Sequence, residues 1–531
     1  MKKIDIFILL FIVTFTIFLY SFNYNKGISL HDEGRDLCAF EKVLNGQMPY
    51  RDFRWVHGPL ALYLHSFIFK LFGVNLLHIR QALIIIILLV SIFSYLLARL
   101  IMPRSYSTIA ALIAVGYYGF PQYTSDHIYG TLFGLIAVMS ILKFVAEGRD
   151  FRYLAFSGIL TGAIFGFMQA MGVFVFLAIS LYILLLGRNW KQLTAYIALN
   201  IITISLIYLY FVINVPWNLL FENLFPRWRL ALMGDLGVFP SLFVFAQRGF
   251  STDSFNAFRN ALLFWLPAIS TVMVIVLLLL GIKNKCFNEK GENKILLLFS
   301  IYQAIMLTKL FIDKGVESVV FYTQVGMILL VYVLYYSTLF IKIKNRQLKA
   351  WFKFGIPLSL IFLYLIEISP FTIAHYYGFK DDYKLPFERA PVYVNQKLGK
   401  TLTEVVDYIK TNTEKDDELI CAIYCPMLNF LSERENPLYD NELTPGVFRD
   451  KAMEEEAIKV TKSNKVKYFA YAKLTHSIGQ AQGWGPYVFG KSYAASFFGF
   501  IKSNYHVERE FGDSTFPPSS LRTVLYRRNY E

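Results

Sequence analysis

Residues 4–22 read IDIFILLFIVTFTIFLYSF, and nine residues later the chain reads HDEGRD at 31–36. The first stretch is apolar almost throughout and long enough to cross a bilayer as one helix. The second packs two Asp, one Glu, one Arg and one His into six positions. Charged groups are costly in hydrocarbon, so such a cluster belongs at the water edge of the membrane. Adjacent carboxylates at the mouth of a membrane helix are the first place to look for chemistry.

The rest of the chain repeats the apolar pattern. Hydrophobic residues make up 56% of the 531 positions and charged residues 17%. Soluble chains carry about a quarter of charged residues, and mean hydropathy here is +0.45. The 50 Phe and 35 Tyr suit a membrane interface. Spans are expected at 4–22, 79–100, 106–122, 127–146, 153–168, 170–187, 193–213, 259–281, 294–312, 316–341 and 354–369. Lys2 and Lys3 precede the first run, and no cleavage-site pattern follows it, so an uncleaved first helix is expected.

Loop charge orients this order. With the N-terminus inside, inner loops hold Arg99 and Arg104, then Arg149 and Arg152, then Arg188 and Lys191. Further inner loops hold Lys283, Lys285, Lys290 and Lys294, then Lys342, Lys344, Arg346, Lys349 and Lys353. The opposite loops are acidic or mixed, as the positive-inside tendency requires. Eleven spans then put the chain from about 375 onward outside, beside the acidic cluster. The net charge of +14 is accounted for by these loops and does not indicate a nucleic-acid partner.

Residues 375–531 are polar with short apolar runs. The spacing predicts an amphipathic helix at 401–412, a buried strand at 417–423, a charged helix at 450–463 and a strand at 466–472. The fold class is therefore a polytopic α-helical membrane protein with a C-terminal extracytoplasmic α/β domain. It divides into a membrane catalytic domain at 1–374, with outer loops 23–78 and 214–258, and a soluble domain at 375–531. Cys38, Cys286, Cys421 and Cys425 lack metal-ligand spacing and are expected as free thiols.

The first outer loop continues with Gly46-Gln47-Met48-Pro49-Tyr50-Arg51-Asp52-Phe53 and then His57-Gly58-Pro59-Leu60. The second holds Trp217 and Pro226-Arg227-Trp228-Arg229, suited to lie on a membrane surface and meet lipid phosphate. The run from the Asp-Glu-Gly of 32–34 through Pro-Tyr-Arg-Asp-Phe and Gly-Pro-Leu to Arg80 resembles the first outer loop of the GT-C glycosyltransferases. The protein O-mannosyltransferase and aminoarabinose lipid A transferase branch is the nearest in pattern. The resemblance is strong over 1–210 and loose beyond.

That resemblance implies a polyprenyl-phosphate sugar donor, an extracytoplasmic acceptor and inversion at the anomeric carbon. It makes Asp32 the candidate general base. Glu33 beside it is the second catalytic candidate, with a loop hydrogen bond as its other reading. Arg51, His57, Arg227 and Arg229 are candidates for the donor phosphate, and Asp126 and Asp52 for supporting acids. Each has a structural alternative: Arg51 with Asp52 as a loop bridge, His57 as loop packing, Asp126 as a helix cap, and Arg227 and Arg229 as interfacial anchors. Asp36 is expected to pair with Arg35. Lys309 and Lys314 read as snorkelling side chains.

One departure stands out. Where related enzymes often carry a Lys, between the fifth and sixth spans, this chain has Gln169. A neutral amide cannot neutralise phosphate. No cofactor is implied; Asp32 and Asp126 have the chemistry to bind a divalent ion, but no spacing supports one. Gly483-Trp484-Gly485-Pro486-Tyr487 reads either as a sugar-stacking loop or as a structural turn. The competing functions are an oligosaccharide ligase with a pyrophosphate-linked donor and a lipid-sugar flippase. The flippase fits less well, because acids are nearly absent from the span interiors and no internal repeat is present.

Overall fold

The computed structural model describes residues 3–22, 24–117, 125–187, 190–225, 255–280, 291–310, 319–340, 347, 355–356, 358–359, 382–423, 425–443, 451–463, 465–472, 488–512 and 521–529. The described chain is mainly helical. The helices of its first part are α1 (Lys3–Ser21), α2 (Asp32–Leu44), α3 (Leu60–Phe72), α4 (Leu76–Ala98) and α5 (Arg104–Tyr117). They continue with α6 (Ser125–Ala146), α7 (Phe151–Phe167), α8 (Gln169–Gly187), α9 (Trp190–Asn214) and α10 (Trp217–Leu224). Then follow α11 (Phe255–Leu279), α12 (Glu292–Leu310), α13 (Val319–Tyr322) and α14 (Gln324–Phe340).

Among the described residues, five stretches are long and apolar enough to cross a membrane: Lys3–Ser21, Leu76–Ala98, Asp126–Ala146, Gln169–Leu186 and Trp190–Asn214. Shorter apolar helices join them. The described residues of each expected span from 4–22 to 294–312 fall on an apolar helix, and those of 316–341 on two. The span expected at 354–369 lies almost wholly outside the described residues, as do Cys286, Arg227, Arg229, Lys314 and the loop 483–487.

Two local features show how this bundle closes. Gly158, Gly162 and Gly166 recur every four residues on α7; the first two face α9, and Gly166 meets Leu60 of α3 and then Ile207 of α9. A Cβ on Gly162 would come within 2.6 Å of Thr203 Cβ, so only hydrogen lets the helices approach this closely. The second feature departs from the sequence expectation. The run 316–341 is not one helix but breaks at Thr323 between α13 and α14. Gln303 of α12 repairs the break: its Nε2 donates to the Tyr322 carbonyl at 3.1 Å, and its Oε1 accepts from Gly326 N at 2.7 Å. Inside a membrane bundle, broken backbone is tolerated where side chains re-satisfy it.

At one end of the bundle Asp5 is buried against Arg104, which donates to both its oxygens at 2.8 and 3.0 Å, and against Tyr95 Oη at 2.8 Å. The opposite end is capped by α2, α3 and the C-terminal region. There β1 (Asp382–Lys384) and β2 (Tyr393–Asn395) form a small antiparallel pair, followed by helix α15 (Gln396–Asn412). A four-stranded sheet then runs in the order β3-β4-β6-β5, from β3 (Glu418–Ala422), β4 (Val466–Ala472), β5 (Tyr505–Phe511) and β6 (Thr523–Arg528). β3 and β4 are parallel; the other pairings are antiparallel. The helix Met427–Ser432, α16, lies between β3 and β4 in sequence. Leu402, Val405, Val406 and Ile409, the stripe expected for α15, are all buried.

The cap and bundle share packing. Leu402, Val405, Leu428 and Phe430 belong to the same contiguous apolar core as Leu37, Phe40 and Phe69 of α2 and α3. A second core behind the sheet contains Ile420, Phe469, Phe497 and Ile501. Backbone bonds stitch the junction: Gly27 N to Tyr393 O at 2.7 Å, Tyr393 N to Asn25 O at 2.8 Å, and Met427 N to Leu30 O at 3.1 Å. Gly34 makes the contact with α16 close, because a Cβ there would lie 2.3 Å from Met427 N.

Candidate active site

α2 begins at Asp32, with His31 as the residue before the first turn and Lys42 in the last. An acid at a helix N-terminus meets the positive end of the helix dipole, which explains why the hexapeptide starts a helix. Consecutive helical residues point about 100° apart at 3.6 residues per turn, and this separates Asp32 from Glu33.

Glu33 turns inward. Both its oxygens accept from Arg80, which donates through Nε at 2.8 Å and Nη2 at 2.9 Å, and Oε2 also accepts from Ser29 N. Arg80 is fully buried and gives its other donors to the carbonyls of Tyr24, Lys26 and Gly27. Of the two readings of Glu33, the loop hydrogen bond is the one with its partners in place.

Asp32 turns toward a charged pocket and keeps 27% of its side chain exposed. Its Oδ1 lies 3.1 Å from His31 Nδ1 and 3.4 Å from Arg35 Nη1. Arg35 also pairs with Asp36 at 2.8 Å, as expected from the sequence. The pocket contains a residue that sequence reasoning missed. Glu442, from the C-terminal region, places Oε2 3.6 Å from His31 Nε2 and Oε1 3.4 Å from Arg35 Nη1.

Burial alone would raise the Asp32 carboxyl; the charge and hydrogen bond of His31, with Arg35 and His57, outweigh it and hold the group below the usual carboxylate range. Burial alone would lower His31, but Asp32 and Glu442 push it up to about 9. Glu442, raised by burial, is pulled down to about 2 by His31, Arg35 and Arg54. Asp36 moves the other way: burial raises it against the pull of Arg35.

Pro49-Tyr50-Arg51-Asp52-Phe53 forms a tight turn. Tyr50 takes a positive φ of 70°. Asp52 Oδ2 accepts from Met48 N at 2.7 Å, and Arg51 pairs with Asp52 at 2.7 Å while 46% exposed. Tyr50 Oη donates to the His57 carbonyl at 2.6 Å, so the turn places His57. Trp55 bridges the two parts of the site: the Arg35 guanidinium lies 5.8 Å from its ring centroid and the His57 ring 5.6 Å away.

His57 Nδ1 is 3.9 Å from Asp126 Oδ2. Asp126 is almost fully buried and lies in the first turn of α6. Beside it, His127 Nδ1 is 3.2 Å from Tyr322 Oη. Gly58 N donates to Phe167 O at 3.1 Å, which brings His57 next to the α7–α8 turn and Gln169. The Gln169 amide nitrogen is buried, with no hydrogen-bond partner among the described residues. Among the described residues no three of His, Cys, Asp and Glu converge closely enough to hold a metal ion. Cys38, Cys421 and Cys425 are free and buried.

The structure thus gathers Asp32, His57 and Asp126 around one region, ties Arg51 to Asp52, and ties Glu33 to Arg80. Arg54 with Asp440, at 2.7 Å, was not foreseen either. The one available signal was the Tyr-Asp-Asn-Glu run at 439–442, a turn-forming composition that says nothing about its distant partners.

Residues 56–217 match the family model described as dolichyl-phosphate-mannose-protein mannosyltransferase. The match takes in His57, Asp126 and Gln169 and begins after Asp32. No match is found among curated proteins. The fold is similar to that of the Archaeoglobus fulgidus oligosaccharyltransferase tethered with an acceptor peptide containing the NVT sequon. That likeness has a TM-score of 0.58 and 13% identity, covering 98% of this chain and 75% of that one. ArnT from Cupriavidus metallidurans in the apo state is similar at a TM-score of 0.58 and 11% identity, over 99% of this chain and 98% of that one. ArnT bound to undecaprenyl phosphate matches at 0.58 and 11%, over 97% of each chain. The chain shares the fold of these structures, a bundle of apolar membrane-spanning helices with an α/β cap at one end.

Proposed function

We propose that this chain is an integral membrane glycosyltransferase that moves a sugar from a polyprenyl-phosphate donor to an extracytoplasmic acceptor, with inversion and with Asp32 as general base. The N-terminus is then cytoplasmic and the α/β cap extracytoplasmic, the orientation that the loop charges favour. The carrying observation is Asp32 itself, a partly exposed carboxylate held ionised by His31 and Arg35 at the junction of bundle and cap.

In the proposed reaction an acceptor hydroxyl gives its proton to Asp32 as its oxygen attacks the anomeric carbon. The bond from that carbon to the phosphate oxygen breaks, and the lipid phosphate leaves with the electron pair. A base of low pKa is weak in the ground state, but the attacking hydroxyl becomes strongly acidic as its bond to carbon forms. His57, close to Asp126 and to the Gln169 turn, and Arg51, paired with Asp52, are the described candidates for the departing phosphate; Arg227 and Arg229 are the other candidates. A cation aimed at developing charge is the usual stabiliser of such a leaving group.

The likeness to ArnT, a protein captured with undecaprenyl phosphate, supports a lipid-phosphate donor. The likeness to an oligosaccharyltransferase tethered with an acceptor peptide supports a second, acceptor substrate. The test is transfer in vitro from a panel of polyprenyl-phosphate sugars to glycan, lipid and peptide acceptors, with the anomer of the product determined. Inverted product is expected. Retained configuration, or lipid-sugar movement across proteoliposomes without bond cleavage, would replace this reading.

A further inference from the structure

His31 stands between two carboxylates from opposite parts of the chain. Its Nδ1 faces Asp32 at 3.1 Å and its Nε2 faces Glu442 at 3.6 Å. A neutral imidazole would turn a lone pair toward one of the two carboxylates; the imidazolium meets both with positive charge, at hydrogen-bonding distance from Asp32 and at ion-pair distance from Glu442. Glu442 is built in rather than loosely placed. Its N–H donates to Asp440 Oδ1 at 2.8 Å, and Asp440 Oδ2 accepts from Arg54 at 2.7 Å. The same turn is pinned by Tyr439 Oη, which donates to the Tyr50 carbonyl at 2.8 Å and accepts from Asn223 Nδ2 at 2.7 Å.

We propose that Glu442 is a positioning residue supplied by the cap: it holds His31 as an imidazolium whose second nitrogen orients the Asp32 carboxylate. The proposal rests on the reading of Asp32 as the base. The charges around the three groups are specific. His31 faces Asp32 and Glu442; Asp32 faces His31, Arg35 and His57; Glu442 faces His31, Arg35 and Arg54. Arg35 repeats the link, because its Nη1 lies 3.4 Å from both Asp32 Oδ1 and Glu442 Oε1, while Asp36 anchors its other side. The cap is then part of the reacting unit, and its charge sets the alkaline limit of the reaction.

The sign follows from the arrangement. Removing the Glu442 charge removes one of the two anions that keep His31 protonated, so His31 loses its proton at lower pH. The alkaline limb of kcat/KM then moves down, and the acid limb, set by Asp32, stays.

The experiment uses the full-length protein in nanodiscs, labelled with carbon-13 at histidine Cε1, with the His31 signal assigned by its loss in His31→Gln. The wild-type signal is expected to titrate well above the usual histidine value of about 6.5. In Glu442→Gln the midpoint falls by about one unit or more, and Glu442→Asp, which keeps the charge, stays near wild type. The kcat/KM profile, measured with the polyprenyl-phosphate sugar that the donor panel selects, loses its alkaline side by the same interval in Glu442→Gln. A wild-type midpoint near the usual value, which needs no folded Glu442 variant, overturns the coupling. A shifted midpoint with an unmoved rate profile overturns the positioning role and leaves the transfer reading intact. No transfer from any donor overturns the transfer reading and the positioning role together, and the titration then still decides the contact between His31 and Glu442.

Discussion

Arg80 grips Glu33 through two parallel hydrogen bonds, Nε to Oε1 at 2.8 Å and Nη2 to Oε2 at 2.9 Å, at a site where the arginine is fully buried. One position earlier, Asp32 keeps its carboxylate partly open and shares two cations with Glu442. The helix therefore gives adjacent acids opposite duties: one fastens α2 and the 24–29 loop to α4, and the other faces the pocket.

Glu33→Ala leaves the Arg80 charge buried without its carboxylate. Breaking a buried pair by removing one partner costs about 3–5 kcal/mol, so thermal unfolding in detergent should shift strongly downward. The fraction that folds should keep kcat near wild type. A variant that melts like wild type and transfers nothing would move the base from Asp32 to Glu33.

The His31 cluster has a signed pH dependence. His31 is raised to about 9, so its contribution to stability is complete below its unfolded value of about 6.5 and fades as pH rises through 9. Asp32 and Glu442 are lowered, so their contributions hold above the unfolded carboxylate range and are lost in strong acid. Melting curves from pH 7 to 10 should fall more steeply for wild type than for His31→Gln. Parallel curves would mean that His31 is not held charged.

Gly34→Ala places a methyl group where Met427 N would be 2.3 Å away. The neighbour is backbone and cannot rotate aside, so α2 and α16 must separate. Overpacking of this kind costs about 1–3 kcal/mol. Limited proteolysis should then cut the junction of bundle and cap faster than in wild type. Unchanged cleavage and melting would show that the junction is looser than this contact implies.

Gln303→Leu keeps the volume but strips the two hydrogen bonds that mend the helix break at Thr323. An orphaned buried donor or acceptor costs about 1–3 kcal/mol, and both the Gly326 N–H and the Tyr322 carbonyl lose this partner. The melting temperature should fall, with Gln303→Glu failing to restore the Tyr322 bond because a carboxylate does not donate. A variant as stable as wild type would mean that the break is mended elsewhere.

The helices at the spans from 4–22 to 294–312 were legible because each is a long local run of apolar residues, and the same holds for α15 and β4, whose patterns are local. The hairpin of β5 and β6 was not, since Tyr505–Phe511 buries only its two end residues and carries Glu508, Arg509 and Glu510 in a row, a pattern with no period of two, at the edge of the sheet. The break at Thr323 escaped because a helix of Val, Phe and Tyr reads the same with or without Gln303 beneath it. At the site, the pairing of Arg35 with Asp36 and of Arg51 with Asp52 was readable from adjacency. Glu33 with Arg80, and His31 with Glu442, were not: they are tertiary contacts between distant segments, and charge alone does not select among the available partners.

The central claim is that Asp32 takes the proton of the acceptor. Its most direct test is transfer from a polyprenyl-phosphate sugar by wild type and by Asp32→Asn, at matched folded concentration and equal donor binding. A positioned general base contributes about 10²–10⁴-fold, so Asp32→Asn should lose kcat by that order while still binding the donor. An Asp32→Asn protein that transfers sugar at the wild-type rate would contradict the account.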